Sequence, residues 1–152
     1  MKDFEGDVLF TDSPDGGQIS IENGLIACDK GFATAVYISL FGGNEEDSGL
    51  VKNNKGFWGN CLGEKDTQLV SKFQHFIKTC PLTPKNLIAA CDAAKSDLEW
   101  MIKDEIATDI EVTGRILSFI EADFHIVISN GNENILDTNY GVNWEANNGI
   151  SE

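Results

Sequence analysis

The spacing of apolar positions changes more than once along this 152-residue chain. In "DVLFTDSPDGGQISIENG", Val8 and Phe10 alternate with polar residues, "SPDGG" supplies turn chemistry, and Ile19 and Ile21 resume the alternation. That pattern predicts a β-hairpin. The spacing lengthens to four in "DKGFATAVYISLFGG", where Phe32, Val36 and Leu40 recur and Gly42 and Gly43 close the run. A short helix is expected there, with Val36 and Leu40 facing the core. A second helix is predicted in "DTQLVSKFQHFIKTC", with Leu69, Val70, Phe73, Phe76 and Ile77 on one face and Pro81 ending it. The third and longest helix starts with Thr83 as N-cap and Pro84 at the first helical position. Its stripe is Leu87, Cys91, Ala94, Leu98, Met101 and Ile102, opposite Lys95, Asp97 and Lys103.

Beyond that helix the period falls to two. Ile110, Val112, Ile116 and Ile120 lie on one side, Phe124, Ile126 and Ile128 follow, "NGNEN" makes a turn, and Tyr140, Val142 and Trp144 supply a third strand. The order is hairpin, three helices and a three-stranded antiparallel meander. It predicts an α+β architecture over residues 1–152, one domain with a helix layer on a sheet. The strand over 135–144 is expected at the sheet edge unless the N-terminal hairpin covers it. An edge row of amides and carbonyls invites another chain.

Charge narrows the partners. Twenty-five acidic against eleven basic residues give a formal net charge of −14, which repels nucleic-acid backbones and anionic lipid. Neither nucleic acid nor a membrane surface is therefore expected as a partner. With 41% hydrophobic residues the composition is that of a folded chain, not a disordered one. No apolar run approaches the roughly 18 residues of a membrane helix, and "MKDFEGDVLF" lacks a signal-peptide core, so a cytoplasmic start is expected. Cysteines 28, 61, 80 and 91 form no CxxC pair and are read as buried free thiols.

Candidate chemistry is thin. His75 and His125 have no companion at metal-ligand spacing, and His125 falls on the strand face opposite the core set. Asp12 and Asp15 sit in a turn without calcium-loop spacing and are read as bonding their own backbone. Glu45, Glu46 and Asp47, or Glu99, Asp104 and Glu105, could supply the two carboxylates of a glycosidase, but no pocket-forming residues accompany either group. "GFWGNCLG" matches no phosphate-binding loop. No catalytic, metal or cofactor site is assigned, and no cofactor is expected.

Two aromatic rings in a polar loop stand apart from this. Phe57 and Trp58, in "NNKGFWGN", can each bury on the order of 150–250 Å². Either they fold back onto the helices as a plug, for which Gly56 and Gly59 allow a tight backbone, or they dock into a neighbouring protein. Trp100 is assigned to the core, and Trp144 either caps the sheet or meets a partner at its edge. The candidate partner-binding residues are Phe57, Trp58, Tyr140, Val142 and Trp144.

Three segments add a resemblance. They are "GFATAVYISLF" at 31–41, "GFWG" at 56–59, and Trp100 with Met101 inside "AKSDLEWMIKDEIATDIEV". In this order and spacing they make the chain similar, over nearly its whole length, to the small baseplate wedge proteins of Mu-like contractile-tailed phages. The resemblance implies a non-enzymatic structural subunit that binds other baseplate wedge proteins and the tail sheath in a hetero-oligomeric tail. It also implies residence in the host cytoplasm during assembly and then in the virion tail baseplate. Some relatives carry a lysozyme-like label, so a tail-associated, peptidoglycan-degrading glycosidase is the alternative. Here the shared motif positions hold aromatic, glycine and aliphatic residues, not a carboxylate pair. The segment "DTQLVSKFQHFIKTC" departs from many relatives, in which arginine is common.

Overall fold

The computed structural model describes residues 7–13, 16–29, 32–42 and 69–144. Within them the N-terminal segment folds as three short antiparallel ladders. The ladders are β1 (Asp7–Val8) with β6 (Cys28–Asp29), β2 (Phe10–Ser13) with β3 (Gly16–Ile19), and β4 (Ile21–Glu22) with β5 (Leu25–Ile26). They meet at a three-way junction closed by a ring of backbone hydrogen bonds. Leu9 N–H donates to the Ala27 carbonyl at 2.8 Å, Ala27 N–H to Ser20 at 2.9 Å, and Ser20 N–H to Leu9 at 3.1 Å. The expected hairpin is therefore the β2–β3 arm, and Ile21 belongs to a second arm. That arm turns at Asn23 and Gly24, whose φ values of 52° and 77° make the left-handed pair that a two-residue hairpin loop requires.

Three helices and a helical turn follow: α1 (Ala33–Phe41), α2 (Lys72–Thr79), α3 (Pro84–Leu98) and α4 (Trp100–Lys103). Thr83 caps α3 through its side-chain oxygen, which accepts from Asn86 N–H at 3.2 Å, with Pro84 at the start of the helix, as the sequence predicts. Leu69 and Val70, placed on helix two from their spacing, precede it. Ser71 is extended and caps α2 by accepting from Gln74 N–H at 3.0 Å, which fixes the helix start beyond them. The long third helix breaks at Glu99, whose N–H bonds to Ser96 at three residues' distance, and the chain re-forms a turn as α4.

The C-terminal strands are β7 (Asp109–Ile116), β8 (Glu121–Asn130) and β9 (Glu133–Asn143), an antiparallel meander in the order β7-β8-β9. The fold is α+β, with helices on one face of this sheet. Ala122, Phe124, Ile126 and Ile128 of β8 are buried, and their partners across β9 are Val142, Tyr140, Thr138 and Leu136. Against this face pack Val36 and Leu40 of α1, Phe73 and Ile77 of α2, and Leu87, Ala90, Ala94 and Leu98 of α3. Each fully buried large apolar side chain contributes about 1.5–3 kcal/mol relative to exposure. Phe73 lies edge-on to Phe124 at 4.8 Å and to Phe41 at 5.6 Å, so the aromatic centre joins α1, α2 and the sheet.

Polar ties fix the helices relative to one another. The Ser71 hydroxyl donates to the Leu40 carbonyl at the end of α1 at 2.5 Å, and Trp100 Nε1–H donates to Ser39 Oγ at 3.1 Å. Asp97 of α3 accepts from the backbone amides of Lys72 and Phe73 at 3.2 and 2.9 Å, capping α2 from outside. Burial outweighs these donors and pushes the Asp97 carboxyl from 3.8 up to about 6. Between those two values the folded chain binds more protons than the unfolded one, so this group's contribution to stability falls as pH rises through that window. Acidification from about pH 6 toward 4 is thus expected to raise this group's contribution to stability. A carbon-13 titration of the Asp97 carboxyl checks this. A midpoint near 6 is expected, and a midpoint at an ordinary carboxylate value contradicts it.

Three other expectations need correction. Ile116 and Ile120 are 38% and 37% exposed, because the β7–β8 hairpin runs past the cover of the helices. Ile102, assigned to the α3 stripe, is 40% exposed because the break at Glu99 re-aims the α4 turn. Cys28, Cys80 and Cys91 are free thiols as expected, but Cys28 on the N-terminal ladder is exposed and the other two are only half-buried.

Candidate assembly surface

Both outer strands of the meander have a free edge among the described residues, since the N-terminal ladders pair only with each other. The covering of β9 by the hairpin, left open by the sequence, does not occur through strand pairing. The free edge of β9 carries the Tyr140 and Val142 positions picked out by the sequence.

Their side chains point inward. Val142 is 8% exposed and Trp144 is fully buried, so as side chains both belong to the core rather than to a partner surface. Trp144 stacks on Phe124 at 6.3 Å, and its Nε1–H donates to the Cys80 carbonyl at 2.5 Å, which satisfies the indole inside the chain. Of the two readings for Trp144, the sheet cap holds. Tyr140 is half-buried in an aromatic row with Phe41 at 5.5 Å and Tyr37 at 6.3 Å. Burial, and then the neighbouring Tyr37, push its phenol above the usual 10.0, keeping it neutral and able to donate a hydrogen bond. Tyr37 is 39% exposed and extends the row to the surface. The sequence reading missed it because its position between Val36 and Leu40 on α1 looks merely polar-facing. Phe57 and Trp58 lie outside the described residues.

The opposite face of the sheet is polar. His125 Nε2 lies 2.7 Å from Asp137 Oδ1, and Arg115 reaches the Asp123 carboxylate at 3.4 Å across the β7–β8 pair. His125, Arg115 and Asp123, with Thr113, the Gly114 backbone and Asn139, line an open cleft of about 340 Å³. His125 thus faces away from the core, as its strand position predicts. Gly114 lies on the helix side, where a Cβ would sit 2.9 Å from Cys91 Sγ and 3.0 Å from Leu87 Cγ. That close approach of α3 to β7 is the reason a glycine stands inside the strand.

Chemistry for catalysis is dispersed. Glu99, just before α4, and Asp104 and Glu105, after it, are exposed, Glu99 reaching Lys103 at 3.9 Å, while Glu45, Glu46 and Asp47 lie outside the described residues. Among the described residues, no group of three or more His, Cys, Asp or Glu side chains could hold a metal ion. Comparison with protein-family models, with curated proteins and with solved structures finds no match for this chain.

Proposed function

We propose that this chain is a structural subunit of a phage contractile-tail baseplate, acting through protein–protein contacts with other wedge proteins and the sheath. The observation that carries the reading is the ordered set of Gly31–Phe41, Gly56–Gly59 and Trp100–Met101, in which the chain resembles the small wedge proteins. Two features of the fold support it. Among the described residues no strand pairs with the outer edge of β9, which lies beside the Tyr37–Tyr140 row, the geometry in which a partner strand extends a sheet. The packed helices hold that edge rigid, so the direction of an added strand is set in advance. Templating is then geometric: the neighbour's orientation follows from the edge, and chemistry is not required. Interrupting the gene in its parent phage should leave particles without sheathed tails, restored by a copy in trans. Sheathed tails with complete baseplates in the interrupted strain contradict the proposal.

A further inference from the structure

The β7–β8 hairpin ends in an apolar tip. Ile116, Leu117, Phe119 and Ile120 are 38%, 52%, 67% and 37% exposed, within the short stretch "ILSFI". Hairpin connections are ordinarily polar, and clustered exposed apolar residues mark contact sites. The tip is also firmly built. Leu117 N–H and Ser118 N–H donate to the Glu121 carbonyl at 2.9 and 3.1 Å, and Trp144 N–H donates to the Ile120 carbonyl at 2.7 Å, tying it to the end of β9. Its one phenyl ring and its methyls are therefore presented from a fixed frame and lose little conformational freedom on docking.

The surrounding charge selects the occupant. Arg115, at the root of the hairpin, is engaged by Asp123, while Glu121 is held beside the tip, its Oε2 accepting from Ser118 Oγ at 3.4 Å. Among the described residues the rim formed by Arg115, Asp123 and Glu121 is net negative, on a chain of net charge −14. A second copy would bring the same rim and the same charge to the contact, and an anionic lipid surface is repelled in the same way. We infer that the β7–β8 tip is a hydrophobic anchor that inserts into an apolar socket rimmed by Lys or Arg on a different protein of the tail. This rests on the assembly reading above and adds the surface and the partner's chemistry to it. Four residues are too few for a stable interface of about 800 Å² per side, so the tip acts as a hot spot within a larger contact that includes the sheet edge.

The test uses the full chain with Leu117→Ser and Phe119→Ser together, co-expressed in turn with each wedge and sheath protein encoded beside it. Both side chains are more than half exposed, so the melting temperature should stay close to the parent's. The inference expects the parent chain to capture one such protein, the double variant to bind it at least about tenfold more weakly, and raised salt to weaken the parent complex. A photo-crosslinker at position 119 should then mark apolar residues flanked by Lys or Arg. Equal binding by parent and variant overturns the tip as anchor while leaving the baseplate reading in place. Capture of none of these proteins by the parent overturns both. A dimer abolished by the double variant, or tip-dependent binding to phosphatidylglycerol vesicles, overturns the partner assigned here.

Discussion

Trp144→Ala is expected to cost about 3–5 kcal/mol of unfolding free energy, Trp144 being the largest fully buried side chain among the described residues. The indole is fully buried, stacks on Phe124 at 6.3 Å and donates to the Cys80 carbonyl at 2.5 Å. Its removal leaves a cavity between the end of β9 and the segment joining α2 to α3, which the rigid sheet cannot collapse to fill. Trp144→Phe should recover most of the packing and lose the hydrogen bond to the Cys80 carbonyl, about 1 kcal/mol. Urea unfolding followed by circular dichroism measures both. A loss below roughly 1 kcal/mol for the alanine variant would show that Trp144 is not part of the core.

Gly114→Val ranks second, with an expected loss of about 1–3 kcal/mol. The added Cβ already lies 2.9 Å from Cys91 Sγ and 3.0 and 3.1 Å from Leu87 Cγ and Cδ1, before the two further methyls are counted. Helix α3 must lift from β7 or Leu87 must leave its rotamer, and either disturbs the central contact between helices and sheet. Valine's better strand propensity offsets only part of this. The cause is testable by a cycle with Leu87→Ala: the two substitutions together should cost less than the sum of their separate losses. Additive losses would place the origin elsewhere.

How much of this was readable in the sequence depended on which physical signal each part carries. The α+β order, the Thr83–Pro84 start of α3 and the burial of Val36, Leu40 and Phe73 follow from local periodicity and capping, so the chain states them directly. Element ends were less legible. Ser71 sets the start of α2 through its cap, which leaves Leu69 and Val70 outside a helix their spacing would have included. Side-chain roles at the candidate surface depended on tertiary contacts that no spacing encodes. The edge position of Val142 suggests a partner contact and leaves Trp144 open between sheet cap and partner contact, yet both side chains are buried against the helices, and among the described residues only the outer edge of β9 has no strand beside it. The apolar tip had a visible signal in "ILSFI", but period-two counting assigned Ile116 and Ile120 to the core and so concealed it. The close approach at Gly114 had no sequence signal beyond a glycine inside a strand pattern.

Assembly by contact stands or falls on the recovery of a defined complex. The tagged chain is co-expressed with the other tail proteins encoded beside it, purified, and the mass of any complex measured. A stable hetero-complex with a larger wedge protein is the predicted result. A clean monomer that binds none of them and clears a peptidoglycan suspension would contradict it and move the chemistry to the carboxylates.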